Sequence, residues 1–138
     1  MSRVFVDTSG ILALLNPLDA SHAAARRAFE KLEAREVPLL TSSFVLVETY
    51  ALLLRRFGLE AVIAFRRDFA PLLEVVWVES SLHESGLDLL LERGGRNLSL
   101  VDAVSFLVMR QRRIDEAFAF DRHFSDEGFV LTADGTGR

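Results

Sequence analysis

The chain has 138 residues, half of them hydrophobic, and a formal net charge of −4 at pH 7. It contains no cysteine, which excludes disulfides, thiolate metal sites and cysteine nucleophiles, so any metal must bind through oxygen or imidazole. The negative charge argues against a generally basic nucleic-acid-binding protein. All but one of the 16 basic residues are arginines, however, which suit local phosphate contacts as well as surface ion pairs.

The length predicts a single domain over residues 1–138, with enough chain to bury a sizeable core. The N-terminus enters a strand at once, and no apolar run approaches the roughly 20 residues of a membrane span. We therefore expect neither a signal peptide nor a membrane anchor, and a cytoplasmic protein.

The predicted elements alternate between strands and helices along the chain. The first strand, 4–6, is β-branched or aromatic without a polar break, as in a strand buried on both faces of a parallel sheet. The other predicted strands are 37–41, 73–79, 117–120 and 129–132, and the predicted helices are 10–15, 21–36, 44–57, 59–69, 81–93 and 99–113. This order predicts a three-layer α/β/α sandwich around a five-stranded parallel sheet with right-handed crossovers.

Several residues predict where the helices begin and end. Ser42 or Ser43 caps the helix over 44–57, and Gly58 ends it. Two Ser-x-x-acid sequences, which start at Ser81 and Ser99, fit capping boxes at the starts of later helices. The helices over 44–57 and 59–69 carry more apolar surface than one sheet face needs, which favours an oligomer interface.

Four acidic residues have neighbours that do not suit a solvated charge. Asp7 and Asp121 each follow an apolar strand, and ligands bind at the carboxyl ends of parallel strands. Glu48 has only apolar neighbours three and four residues away on its helix. Asp102 lies near the start of a helix on a stripe of apolar and hydroxyl side chains.

Each of these acids also has a purely structural explanation. Asp7 could cap the first helix, Asp102 could be only the acid of its capping box, and Asp121 could begin a turn. Glu48 would need an internal arginine partner. One shared site explains all four acids more simply than four separate coincidences. Oxygen ligands favour Mg²⁺ or Mn²⁺, and a site with such an ion typically carries out phosphoryl transfer.

The histidines do not form a cluster in the sequence. His22 and His83 fall in the first turns of predicted helices and are expected at the surface. His123 follows Asp121 closely, and we expect it to pack or to form a local hydrogen bond rather than to bind a metal.

Four segments, in this order, resemble the PIN domain, and in particular the VapC-type ribonuclease toxins of bacterial toxin–antitoxin pairs. They are Val-Phe-Val-Asp7-Thr-Ser, Thr-Ser-Ser-Phe-Val-Leu-Val-Glu48, Leu-Ser-Leu-Val-Asp102-Ala-Val-Ser-Phe and Ala-Phe-Ala-Phe-Asp121-Arg-His-Phe. The resemblance covers nearly the whole chain. It implies an α/β/α sandwich with a five-stranded parallel sheet, Mg²⁺- or Mn²⁺-dependent cleavage of single-stranded or structured RNA, a homodimer and a cognate antitoxin.

The resemblance also implies roles for individual residues. Asp7 and Asp102 would be the principal metal ligands, and Glu48 and Asp121 would complete the acidic pocket directly or through water. Thr8 and Ser105 would supply supporting hydroxyls around these ligands.

Other assignments around the site stay open at this point. Asp126 is an alternative to Asp121 as the fourth acid, and the number of metal ions is open. Arg96 and Arg122, which flank Asp102 and Asp121, are candidates for phosphate contacts, with surface ion pairing as the alternative.

Other enzyme classes fail on single residues. A haloacid-dehalogenase-type phosphatase needs a second aspartate where this chain has Ser9, and a receiver domain needs a late lysine that the sole Lys31 cannot supply. A dinucleotide-binding domain needs a glycine-rich first turn, whereas Gly10 is solitary. Two alternatives remain: a module that binds RNA or protein with vestigial cleavage, and a housekeeping RNA-processing nuclease.

Overall fold

The computed structural model describes residues 2–135, in which five parallel strands form one sheet. The strands are β1 (Val4–Val6), β2 (Leu39–Ser42), β3 (Leu73–Val76), β4 (Glu116–Phe118) and β5 (Val130–Leu131). Their order across the sheet is β3-β2-β1-β4-β5, and every neighbouring pair is parallel. The predicted five-stranded parallel sheet is confirmed.

Helices connect these strands throughout the described part of the chain. They are α1 (Thr8–Leu15), α2 (His22–Arg35), α3 (Ser43–Phe57), α4 (Leu59–Asp68), α5 (Ser80–Glu92), α6 (Leu100–Arg112), α7 (His123–Asp126) and α8 (Thr132–Gly135), with a 3₁₀ turn at Ala70–Leu72. The resulting α/β/α sandwich is the predicted fold class. Within residues 2–135, no helix is long and apolar enough to cross a bilayer.

The central strand β1 organises both the core and the sheet topology. Its three residues are completely buried, because helices cover both faces of a parallel sheet. After β1 the chain builds β2 and β3 on one side, and then crosses to build β4 and β5 on the other side. The reversal opens a crevice at the carboxyl ends of β1 and β4, which is where open α/β sheets bind ligands.

The helix starts test the predicted caps. Ser42 caps α3 by accepting a hydrogen bond from the backbone N–H of Val45 at 3.2 Å, and Ser99 opens α6 with a complete capping box, as expected. The box predicted at Ser81 is wrong, because α5 begins at Ser80 and Glu79 is the N-cap residue. A capping box needs extended backbone at its first residue, and Glu79 has that conformation instead.

Candidate active site

The four predicted acids line one cavity at the carboxyl edge of the sheet. The cavity has a volume of about 220 Å³, and Asp7, Glu48, Asp102 and Asp121 all border it. They come from the end of β1, from α3, from the start of α6 and from the segment after β4. The fold therefore brings together residues that lie far apart in the sequence.

Asp7 is both the N-cap of α1 and a member of the acidic cavity. Its Oδ2 accepts hydrogen bonds from the Ser9 backbone N–H at 3.1 Å and from the Ser9 hydroxyl at 2.7 Å. The Ser9 oxygen in turn accepts a hydrogen bond from the Phe120 backbone N–H at 2.9 Å. Ser9 thus connects the first acid to the segment that carries Asp121, a role that the local sequence pattern did not predict.

Burial controls the protonation of Asp7, which is only 4% exposed. Desolvation raises the pKa of this carboxyl to about 7, and the charges of Asp102 and Glu48 act in the same direction. The two hydrogen bonds from Ser9 oppose the rise because they stabilise the charged form. A cation in the cavity would favour the ionised carboxylate.

Glu48 projects from α3, which the Thr8 hydroxyl ties to the start of α1. That hydroxyl lies 3.3 Å from the Val45 carbonyl, to which it donates, and 3.0 Å from the Thr49 oxygen. Partial burial raises the pKa of Glu48, with the charges of Asp102 and Asp121 adding to the effect, while the nearby Thr8 side chain lowers it. Among the described residues no arginine forms an ion pair with Glu48. A purely structural role for this acid would need such a partner, so that role is not supported.

Asp102 combines a capping role with a place in the cavity. Its Oδ2 accepts a hydrogen bond from the Ser99 backbone N–H at 3.2 Å, and its own N–H donates to the Ser99 hydroxyl at 3.1 Å. Burial raises the pKa of Asp102, and the neighbouring charge of Asp121 raises it further, against the opposing effects of Ser99 and His123. The same box that starts α6 therefore orients a site carboxylate.

Asp121 and His123 close the site on the side of β4. This strand ends at Phe118, two residues earlier than predicted, so Asp121 lies in the loop that follows it. The Nδ1 atom of His123 lies 2.9 Å from the Asp121 Oδ1 and 3.4 Å from the Asp102 Oδ2. This buried nitrogen makes no hydrogen bond of normal geometry within residues 2–135.

Asp102, Asp121 and His123 each offer one ligand atom, and these three atoms all lie within 4.8 Å of one another. The imidazole was not predicted to belong to the site. Its position two residues after Asp121, inside the Asp-Arg-His-Phe segment, was the only available signal.

The remaining candidates lie around this centre. Asp126, at the end of α7, is exposed and does not border the four-acid cavity, whereas Asp121 does. The Ser105 hydroxyl donates to the Val101 carbonyl at 2.8 Å, one turn earlier in α6. The guanidinium of Arg122 pairs with Asp134 at 2.7 Å, which is the surface ion pair considered as the alternative role.

Comparisons with known proteins show which family the chain belongs to. A family model described as the PIN domain matches residues 4–129. Two relatives, from the CDC 1551/Oshkosh and ATCC 25618/H37Rv strains of Mycobacterium tuberculosis, are named 23S rRNA-specific endonuclease VapC20. Each is 42% identical over 128 residues, which cover 92% of this chain and 95% of the relative.

A solved structure shows the same similarity in three dimensions. The crystal structure of M. tuberculosis VapC20, titled a Sarcin-Ricin loop cleaving toxin, superposes with a TM-score of 0.80 at 42% sequence identity. The match covers 92% of this chain and 96% of the solved one.

Proposed function

Since the chain belongs to the PIN domain family, we propose that it is a ribonuclease that hydrolyses RNA phosphodiester bonds and acts as the toxin of a toxin–antitoxin pair. The observation that carries the proposal is the convergence of Asp7, Glu48, Asp102 and Asp121 on one cavity. The VapC20 relatives, similar over more than nine tenths of the chain, support the choice of RNA as substrate.

We propose Mg²⁺ or Mn²⁺ as the cofactor, because the donor set fits such an ion. Asp7 and Asp102 would be the principal ligands, with Glu48 and Asp121 completing the site, and the Nδ1 of His123 is close enough to join them. Carboxylates whose pKa values are raised by burial and by one another gain most from a bound cation. When bound, the ion lowers the pKa of the attacking water and offsets the negative charge of the scissile phosphate.

The protein side of the mechanism follows from the hydrogen bonds. Ser9 and the N-terminus of α1 hold the Asp7 carboxylate in one orientation, and Ser99 does the same for Asp102. Because both carboxylates are fixed before substrate arrives, little reorganisation accompanies the reaction. Thr8, which follows Asp7, contacts Val45 and Thr49 of α3. These contacts hold the helix that carries Glu48 beside Asp7.

We propose a structured ribosomal RNA as the target class, because the relatives are named for cleavage of 23S rRNA and of the Sarcin-Ricin loop. A toxin with this substrate would act in the cytoplasm, where ribosomes are found. A cognate antitoxin and a homodimer are further proposals from the family. Exposed apolar side chains on α3 and α4, such as Leu54, Leu59 and Ile63, support a protein partner on that face.

The test is cleavage of a Sarcin-Ricin loop oligonucleotide and of a tRNA by the purified protein in Mg²⁺, in Mn²⁺ and in EDTA. We expect cutting only with metal, and at least about a hundredfold slower cutting by Asp7→Asn, because that variant weakens the ion site. Asp88→Asn, which removes an exposed acid from α5, is the matched control and should cut normally.

Other outcomes would select one of the alternatives. RNA binding that survives Asp7→Asn, with no cutting by the unaltered protein, would favour a binding module. Cutting without growth inhibition on expression in a bacterial host would favour a housekeeping nuclease over a toxin.

A further inference from the structure

A larger cavity adjoins the acidic one and differs from it in chemistry. It has a volume of about 690 Å³ and lies between the loop joining α5 to α6 and the segment 120–127. We call it the arginine cleft, because Arg93, Arg96 and Arg122 border it. Asp121 borders both cavities, so the cleft runs directly into the proposed catalytic site.

Ion pairs already occupy two of the three arginines. Both terminal nitrogens of Arg93 donate to the Glu127 carboxylate, at 2.7 and 3.0 Å, and Arg122 pairs with Asp134. Arg96 is exposed and forms no hydrogen bond or ion pair with any residue in the described range. It is therefore the cation of the cleft that remains available to a ligand.

Three acids, Asp121, Asp126 and Glu127, balance the three arginines in formal charge. Glu127 contacts both Arg93 and Arg110, and these hydrogen bonds lower its pKa to about 2. Asp121 belongs to the proposed metal site, and Asp126 is the one other acid that borders the cleft among the described residues. Once Asp121 is neutralised by a cation, the residues that border the cleft carry a net formal charge of +1, which favours an approaching phosphate.

Part of the cleft's lining is apolar. Leu98 and Phe120 are half-buried and border it, and the Phe120 backbone N–H is fixed by the same Ser9 hydroxyl that holds Asp7. An unpaired arginine and a half-buried aromatic ring in one cleft suit single-stranded nucleic acid, in which a cation contacts the backbone and a base stacks on an aromatic ring.

We propose that the arginine cleft binds unpaired RNA nucleotides on one side of the scissile phosphate, with Arg96 contacting a backbone phosphate and Phe120 stacking against a base. The inference rests on the proposed ribonuclease function. It adds where the RNA next to the scissile phosphate binds and predicts a preference for an unpaired nucleotide there. A base inside a duplex could not stack on Phe120 without leaving its own stack.

The first test measures binding of a fluorescein-labelled RNA loop to proteins that carry Asp7→Asn, in which cutting is too slow to disturb the measurement. Adding Arg96→Ala should weaken binding by roughly tenfold at low salt, and should reduce the slope of log K against log salt by about 0.7. Arg27→Ala, which removes another exposed arginine, from α2, is the matched control and should change neither quantity. In the cutting protein, Arg96→Ala should raise KM and leave kcat nearly unchanged.

The second test places 2-aminopurine at successive positions beside the cleavage site. One position should show quenched fluorescence on binding, and Phe120→Leu should relieve the quenching while leaving the thermal unfolding midpoint close to that of the parent. Phe120→Tyr should keep the quenching, because tyrosine retains an aromatic ring. A fully paired duplex should compete at least about tenfold less well than the loop.

The outcomes separate the cleft from the enzyme claim. If Arg96→Ala and Arg27→Ala bind RNA alike while Asp7→Asn abolishes cutting, the cleft proposal is overturned and the ribonuclease stands. If Arg96→Ala selectively weakens binding in a protein that cuts no RNA, the cleft is supported and the proposed function fails. If no RNA position is quenched, stacking on Phe120 is overturned.

Discussion

Asp7 serves two purposes with one side chain, because it caps α1 and faces the other acids. A capping aspartate on a surface helix would be ionised at neutral pH, but this one is buried and has a pKa of about 7. In the absence of metal it therefore exchanges a proton near physiological pH. Burying this carboxylate costs free energy of folding, and that cost is the consequence of holding the metal ligand in place before an ion binds.

The raised pKa predicts how stability depends on pH. Between the ordinary value of 3.8 and about 7 the folded protein holds a proton on Asp7 that the unfolded chain releases. The free energy of unfolding therefore falls as pH rises through this window, by up to about 4 kcal/mol for a shift of three pKa units. Asp7→Asn removes this contribution, so in EDTA at pH 8 the variant should unfold at a higher temperature than the unaltered protein.

Urea unfolding in EDTA at pH 5, 6, 7 and 8 measures the effect. The slope of stability against pH should be smaller for Asp7→Asn, with a remainder from Glu48 and Asp102, whose pKa values burial also raises. Asp88→Asn should keep the original slope. Equal slopes for all three proteins would contradict the assignment of the buried proton to Asp7.

At the scale of elements, the position of α1 depends on its contact with β4. Gly10 approaches β4 so closely that an added Cβ would lie 2.4 Å from the Phe118 carbonyl oxygen. Only glycine permits this approach, which also holds Asp7 near the loop that carries Asp121. Helix packing and site geometry are therefore coupled at one residue.

Gly10→Ala is expected to destabilise the protein by about 1 to 3 kcal/mol, because α1 or β4 must shift to relieve the clash. Chemical denaturation of the variant measures the change. The second variant Gly10→Ala/Phe118→Leu provides the discriminating comparison, since the closest atom belongs to the backbone rather than to the ring. Full recovery of stability in the double variant would show that the ring, not the carbonyl, sets the distance.

At the scale of the molecule, the site exists only when the whole sheet is assembled. Its acids come from four segments spread over residues 7–121, and the reversal of strand order between β1 and β4 brings Asp7 and Asp121 to the same crevice. An unfolded chain has no such cluster. Binding of a cation at this site should therefore stabilise the folded state by mass action.

We expect Mg²⁺ or Mn²⁺ to raise the thermal unfolding midpoint by several degrees, since a ligand at about 100 times its dissociation constant contributes about 2.7 kcal/mol. Differential scanning calorimetry with and without EDTA measures the shift. Asp102→Asn should abolish most of it, and Asp88→Asn should leave it intact. A shift of the same size in Asp102→Asn would place the ion outside the four-acid cavity.

Local sequence determined much of this protein. Unbroken apolar strands alternating with helices predicted the parallel sheet. Apolar neighbours along the chain were enough to identify Asp7, Glu48, Asp102 and Asp121 as candidates for one shared site. Both signals are readable because hydrophobic periodicity and the cost of burying charge act on neighbours along the chain. The capping box at Ser99 could also be predicted, because its two hydrogen bonds join residues only three apart in the sequence.

Only the tertiary structure decided which distant groups touch. It placed the His123 ring nitrogen beside Asp102 and Asp121, made the Ser9 hydroxyl a bridge to Phe120, and left Arg96 unpaired among the described residues. The capping box predicted at Ser81 was wrong because the extended backbone of Glu79, in the segment after β3, set Ser80 as the first residue of α5. These contacts depend on strand order and on packing between segments as much as 111 residues apart, which no local pattern encodes.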